Sequence, residues 1–337
     1  MTGRFLSHLA HVELITTNLD ASVAFFKNTL GLYESARSGP SVYMRCWGDY
    51  YHHTLVLTPG PQPALGHAAW RTNGPEELKQ AVASIEASGT KGEWVTSIGH
   101  GPAYRFRGFG GHVIEIFWEV ERHKAAPGQE STFPDRPQKF APIGIGSRQL
   151  DHVTVATADV VKTAEWYRDV LGFRFMATTF LDHDPKIVVF GVVTTNEKSH
   201  DLGLGVDFSN LPGRLHHLAF WLDSQDELLR AADQLMEAGV AIEYGPGKHG
   251  IGEQSYLYFR EPGGVRIELN TGGYRNYVPD WEPVHWPVSK GSNNMYRNHG
   301  MPDSMMDGFP PAPGRVVPDA DLVPALSESE NPGKKHG

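Results

Sequence analysis

Residues 214–223 read RLHHLAFWLD, and two histidines, His216 and His217, stand at the head of an otherwise apolar run. Side chains alternate faces along a strand, so one imidazole points inward with Ala219 and the other outward. Two further chemistry-bearing residues sit in similar runs, His152 in LDHV and Glu268 in RIEL. Two neutral imidazoles and one carboxylate on one face of a metal leave the opposite positions open. That facial arrangement suits non-haem Fe(II) and its oxygen chemistry, whereas zinc more often takes a closed tetrahedron or leaves one position open. The chain has 17 histidines and one cysteine, Cys46, which favours nitrogen and oxygen ligands and excludes an internal disulfide.

These three residues are far apart in sequence, and a repeat is what makes them equivalent. Residues 9–34 (LAHVELITTNLDASVAFFKNTLGLYE) and 150–175 (LDHVTVATADVVKTAEWYRDVLGFRF) both read as strand, polar turn, amphipathic helix, Leu-Gly stop and new strand. YHHTLVLT (51–58) answers LHHLAFWL (215–222), and GFGGHVIEIFWE (108–119) answers EPGGVRIELNTG (261–272). Each half has a later helix, at about 75–88 and 225–239, following the strand-like stretches 66–72 and 215–222. The expected fold is α+β, two homologous halves, each made of two βαβββ units curled around an interior pocket. We place the N-terminal half at 1–135, the C-terminal half at 136–286 and a Pro/Gly-rich tail at 287–337. The Pro-rich linker APGQESTFPDRPQ (126–138) marks the division, and the tail (SKGSNN, PPAPG, ESENPGKK) is expected to wrap the surface or stay partly disordered.

The 337 residues are 40% hydrophobic and carry a formal net charge of −9, with no long Lys/Arg cluster. Nucleic acid and anionic membrane are therefore not expected as partners. No apolar run approaches about 18 residues and no charged-then-apolar leader opens the chain, so we expect a cytoplasmic protein.

The segment GKHGIGEQSYLYFREPGGVRIE (247–268) resembles the signature of type I extradiol catechol dioxygenases of the vicinal-oxygen-chelate superfamily. It has a Gly-x-His, an apolar-Tyr pair, an acidic-Pro-x-Gly turn and a ligand Glu. KSHDLGL (198–204) is similar to the family's His-Asp strand start, and the resemblance covers roughly residues 5–286. It implies that His152, His217 and Glu268 bind Fe(II), Mn(II) being suited to the same ligands. His200 would be the distal acid–base residue, with His249 and Tyr258 as partners of the substrate hydroxyls. It further implies a catechol and O2 as substrates, ring opening beside the two hydroxyls to a 2-hydroxymuconic semialdehyde, and a homotetramer. A glyoxalase-like isomerase or lyase, or a metal-free small-molecule binder on the same scaffold, are the alternatives. The complete ligand set within one half argues against the first of these.

In the N-terminal half His11, His53 and Glu115 fall at the positions matched to His152, His217 and Glu268. Arg105 stands where Tyr258 stands, no counterpart of His200 is evident, and the resemblance implies a metal-free half, its residues held by local hydrogen bonds. GPGKHG (245–250) fits a Gly-x-Gly-x-x-Gly pattern but leads to a strand with no helix to receive a phosphate, and FPPAPG (309–314) reads as plain coil. Where relatives acting on carboxylate-bearing catechols such as homoprotocatechuate carry a basic residue, this chain has Tyr244. Catechol or alkyl- and chloro-catechols are therefore expected, with Arg297 in the tail as a further source of charge.

Overall fold

The computed structural model describes residues 4–140, 143–297 and 299–314. Four βαβββ modules follow one another. The first comprises β1 (Leu6–Thr16), α1 (Leu19–Asn28), β2 (Tyr33–Ser38), β3 (Ser41–Arg45) and β4 (Leu55–Pro59). The second has β5 (Ala64–Thr72), α2 (Pro75–Ala87), β6 (Gly92–Ser97), β7 (His100–Arg107) and β8 (Val113–Phe117). The third has β9 (Gln149–Thr157), α3 (Val160–Leu171), β10 (Arg174–Leu181), β11 (Asp184–Thr194) and β12 (Leu202–Val206). The fourth has β13 (Leu215–Trp221), α4 (Gln225–Glu237), β14 (Ile242–Lys248), β15 (Gln254–Arg260) and β16 (Arg266–Gly272), and β17 (Val284–Pro287) follows. Local chemistry sets the helix ends. Asp159 and Ser224 cap α3 and α4 by accepting from Lys162 N and Glu227 N, and Gly172 closes α3 at φ 75°.

Each half is one curved sheet. The orders are β2-β3-β4-β1-β5-β8-β7-β6 and β14-β15-β16-β13-β9-β12-β11-β10-β17. Within every module the first strand pairs parallel with the last, and the two first strands of a half pair antiparallel at the centre. Apolar alternation marks strands but not their directions, so the mixed pairing is not evident in the sequence; the parallel crossovers run through helix and hairpin together. The register also corrects one alignment. β4 lies beside β1 as β12 lies beside β9, with Val12 opposite Leu55 and Val153 opposite Leu202. YHHTLVLT therefore answers KSHDLGL, so His53 matches His200. The strand equivalent to β13 is β5, and His67 matches His217.

One apolar core runs through both halves. Phe25 and Phe26 of α1 meet Phe259 and Phe220 at ring separations of 5.9 and 6.0 Å, and Trp70 meets Phe173 at 5.7 Å. No helix among the described residues is long and apolar enough to cross a membrane.

The tail is more built than the composition suggests. β17 adds to the sheet edge at β10, and Phe309 is fully buried, bridging to Leu215. ESENPGKK lies outside the described residues. Three buried arginines hold residues 304–310 by donating to backbone carbonyls. Arg266 reaches those of Ser304 and Asp307, Arg214 those of Gly308 and Pro310, and Arg260 the Asp307 carboxylate. Glu243 balances Arg260 and Arg266 at 2.9 and 2.8 Å. Burial opposes its ionisation, but the two guanidiniums hold its pKa down at about 2. Breaking a buried pair from one side leaves an uncompensated charge, at about 3–5 kcal/mol. Arg266→Met is expected to lose that much in denaturant unfolding and to free residues 302–310 for limited proteolysis. Wild-type stability in that variant would show the network to be incidental.

Candidate metal centre

His152 on β9, His217 on β13 and Glu268 on β16 converge from three neighbouring strands. Ala219 is the common reference, paired with His152 on one side and Glu268 on the other. His152 Nε2 and His217 Nε2 lie 3.0 Å apart, and Glu268 Oε2 is 3.1 and 3.0 Å from them. All three residues are buried.

The imidazole protons point away from this meeting point. His152 donates from Nδ1 to Asp151 Oδ2 at 2.8 Å. Asp151 is fixed in turn by Asn270 and Gln254 amides and by Lys198 Nζ. His216 Nε2 donates to the Met305 carbonyl at 2.7 Å, so its Nδ1 is left to accept from His217 Nδ1 at 2.6 Å. That relay fixes His217 with its Nε2 lone pair on the centre. Both carboxylate oxygens of Glu268 are buried with no hydrogen-bond partner. Three acceptors aimed at one point fit a dication and little else.

The electrostatics agree with ionised Glu268. Burial would raise its pKa, but His152 and His217 hold it well below the usual carboxylate range. Burial would lower His152, yet Glu268 and Asp151 raise it to about 9, the pull for positive charge that these carboxylates would equally exert on a bound dication. Burial dominates at His217 and brings it to about 4 despite Glu268.

The residues implied by the resemblance surround this centre. His200 is buried with its ring 4.3 Å from that of His152, and its Nδ1 lies 3.1 Å from Ser199 Oγ. Burial, then the charge of His152, holds it well below the ordinary imidazole pKa, so it is neutral. His249 donates from Nδ1 to the Asn293 carbonyl at 2.6 Å, which makes Nε2 the acceptor for Tyr258 O–H at 3.0 Å. Burial, then Glu268, pushes the Tyr258 phenol well above its usual value.

All six residues line a cavity of about 370 Å³. Its walls are mostly apolar, including Leu181, Phe190, Val206, Phe208, Ile251 and Met301. Tyr244 is on the wall, stacked on Tyr256 at 5.0 Å. The cation nearest in sequence interest, Arg297, is exposed and outside it, and Arg214, which lines it, is paired with Asp207 at 2.7 Å. Sequence reasoning missed Asp151, Asn270, Lys198 and the tail residues Met305 and Asn293. Only Asp151 left a signal, standing directly before a ligand histidine.

Comparison with known proteins agrees with this geometry. The family model for the Glyoxalase/Bleomycin resistance protein/Dioxygenase superfamily matches residues 8–116 and 149–269. The chain is 40% identical over 286 residues to the manganese-dependent 2,3-dihydroxybiphenyl 1,2-dioxygenase of Geobacillus genomosp. 3, covering 83% of this chain and 90% of that one. It is 36% identical to the metapyrocatechase of Geobacillus stearothermophilus, over 93% and 96% of the two chains. The crystal structure of the 2,3-dioxygenase LapB from Pseudomonas sp. KL28 superposes with a TM-score of 0.77 at 26% identity, over 85% of this chain and 99% of that one.

His217→Ala is expected to lose the metal, and His216→Ala to weaken its binding about 10–100-fold, the usual loss when an outer hydrogen bond to a ligand is removed. Equilibrium dialysis against a competing chelator separates the two. Unaltered affinity in His216→Ala would mean that the relay does not orient His217.

Proposed function

We propose that this chain, which belongs to the Glyoxalase/Bleomycin resistance protein/Dioxygenase superfamily and is an extradiol dioxygenase of catechol-type substrates, acts on uncharged, apolar catechols. The observation that carries this reading is the apolar cavity over the His/His/Glu set, with Tyr244 on its wall and Arg214 neutralised by Asp207. Catechol, alkyl- or chloro-catechols and aryl-substituted catechols fit such walls. A carboxylate brought against them would lose its hydration without a partner.

Fe(II) held by His152, His217 and Glu268 would chelate both catechol oxygens and carry electrons from the ring toward O2. Mn(II) is the second reading, favoured by the manganese-dependent relative at 40% identity. In either case the reaction is balanced by insertion of both oxygen atoms as the ring C–C bond beside the diol breaks, giving a 2-hydroxymuconic semialdehyde.

The chain's own residues do the rest. Tyr258, with its proton donated to His249, keeps its oxygen lone pairs free to accept a hydrogen bond from a substrate hydroxyl. His249 passes that hydrogen bond on to the Asn293 carbonyl, so the position of the phenol is set by the tail. His200, neutral at rest, can take a substrate hydroxyl proton as base, hold developing charge on oxygen as the imidazolium and then return that proton. Met301, Met305 and Met306 line the cavity and offer apolar surface to a bound substrate.

The test is a steady-state comparison of catechol, 3-methylcatechol, 2,3-dihydroxybiphenyl and homoprotocatechuate on protein loaded with Fe(II) or Mn(II). The carboxylate-bearing substrate is expected to have kcat/KM at least about 10²-fold below the best of the others, as a site without its polar partner requires. Equal turnover of homoprotocatechuate would contradict the reading. Separately, His200→Phe is expected to keep its metal and bind catechol without O2, while the O2-dependent steps slow by about 10²–10⁴-fold. Stopped-flow mixing with O2 at the unmodified rate would remove His200 from the chemistry.

A further inference from the structure

The N-terminal half repeats the register of the metal centre position for position. Ala69 pairs with His11 on β1 and Glu115 on β8, as Ala219 pairs with His152 and Glu268. Two residues before each alanine stands a histidine, His67 in one half and His217 in the other. His11 Nε2 lies 2.9 Å from His67 Nε2, close to the 3.0 Å between His152 and His217. Glu115 Oε2 is 3.7 Å from His67 Nε2. His11, His100 and Glu115 bring ligand atoms within 4.8 Å of one another.

Two of these imidazoles hold their protons outward. His67 donates from Nδ1 to Glu13 Oε2 at 2.9 Å, and His100 from Nδ1 to the Gly101 carbonyl at 2.8 Å. Gly66 takes the place that His216 holds in the other half. A Cβ there would fall 2.3 Å from Glu13 Oε2, so the glycine makes room for a carboxylate behind the ligand imidazole. Glu115 is fully buried, and its Oε2 has no hydrogen-bond partner, as is true of buried His53 Nε2.

Two differences decide what such a site can do. Arg105 stands in the position of Tyr258 and ion-pairs with Glu115 Oε1, leaving Oε2 for another cation. His100, at the start of β7, lies beside His11 with ring centroids 5.3 Å apart and adds a fourth donor. Three imidazoles and one carboxylate make a closed set of the kind zinc prefers. We propose that His11, His67, His100 and Glu115 bind a second divalent cation, Zn(II) before Fe(II) or Mn(II), in a closed site that takes no catechol. The expectation of a metal-free N-terminal half rested on the family resemblance, on Arg105 in the place of Tyr258 and on the lack of a counterpart of His200. The strand register supplies that counterpart as His53 and brings His67 in as the match of His217.

The experiment strips the full-length protein with chelator, reloads it with Zn(II) or Co(II), removes excess by gel filtration and counts metal per chain by elemental analysis. Wild type is expected to hold about two equivalents, and His67→Ala and Glu268→Ala about one each. The Co(II) absorption of a four-coordinate set should persist in Glu268→Ala and vanish in His67→Ala. Because His67→Ala leaves a cavity, His100→Gln provides a milder variant, expected to fold as wild type and to release the second metal to a weaker chelator. Fe(II)-loaded His67→Ala should still cleave catechol. A single equivalent in wild type, lost entirely from Glu268→Ala, would overturn the proposal. So would a second equivalent that appears only in Arg105→Gln, which would make the guanidinium the cation that Glu115 holds.

Discussion

Three hydrogen-bond acceptors buried at one point are costly unless a cation satisfies them. His152, His217 and Glu268 meet in this way, and the surrounding structure keeps them so. Their strands are inner ones of the C-terminal sheet, each hydrogen-bonded to a neighbour on both sides. Asp151 and His216 hold the imidazole protons on the far side, and Lys198, Asn270 and Gln254 hold Asp151. Replacing any of these outer residues leaves the ligands present but less well aimed, the usual way in which metal sites lose affinity without losing a ligand.

The residues after β16 connect this centre to the substrate chamber. Met305 presents its side chain to the cavity and its carbonyl to His216, whose other nitrogen faces His217. Asn293 does the same for the substrate side through His249 and Tyr258. One segment thereby lines the cavity, orients His217 and sets a phenol. Arg214, Arg260 and Arg266 keep it down by donating to carbonyls and to Asp307, contacts that water would break if they were exposed.

The fold and the central triad were legible because repeats and strand alternation are local patterns. LDHV, LHHL and RIEL each place one polar residue where alternation demands an apolar one. The choice between His216 and His217 rests on aligning LHH with LDH, and the structure gives His216 a second duty as the residue behind His217. The N-terminal alignment failed for a different reason. Two adjacent histidines occur at 52–53 as at 216–217, and a matching dipeptide outweighed the strand order that actually sets equivalence. His67, alone in ALGHAAWRT, carried no such label. The anchoring of the tail is not legible in the sequence because its contacts are backbone carbonyls meeting distant arginines, and neither partner shows a periodicity.

The most direct test of the centre is electron paramagnetic resonance of the Mn(II)-loaded protein, titrated with catechol in the absence of O2. Chelation of the metal by substrate inside the apolar cavity is expected to change the Mn(II) spectrum, saturating at about one catechol per chain and disappearing with Glu268→Gln. A spectrum that stays unchanged while catechol binds would mean that substrate does not reach the metal held by His152, His217 and Glu268.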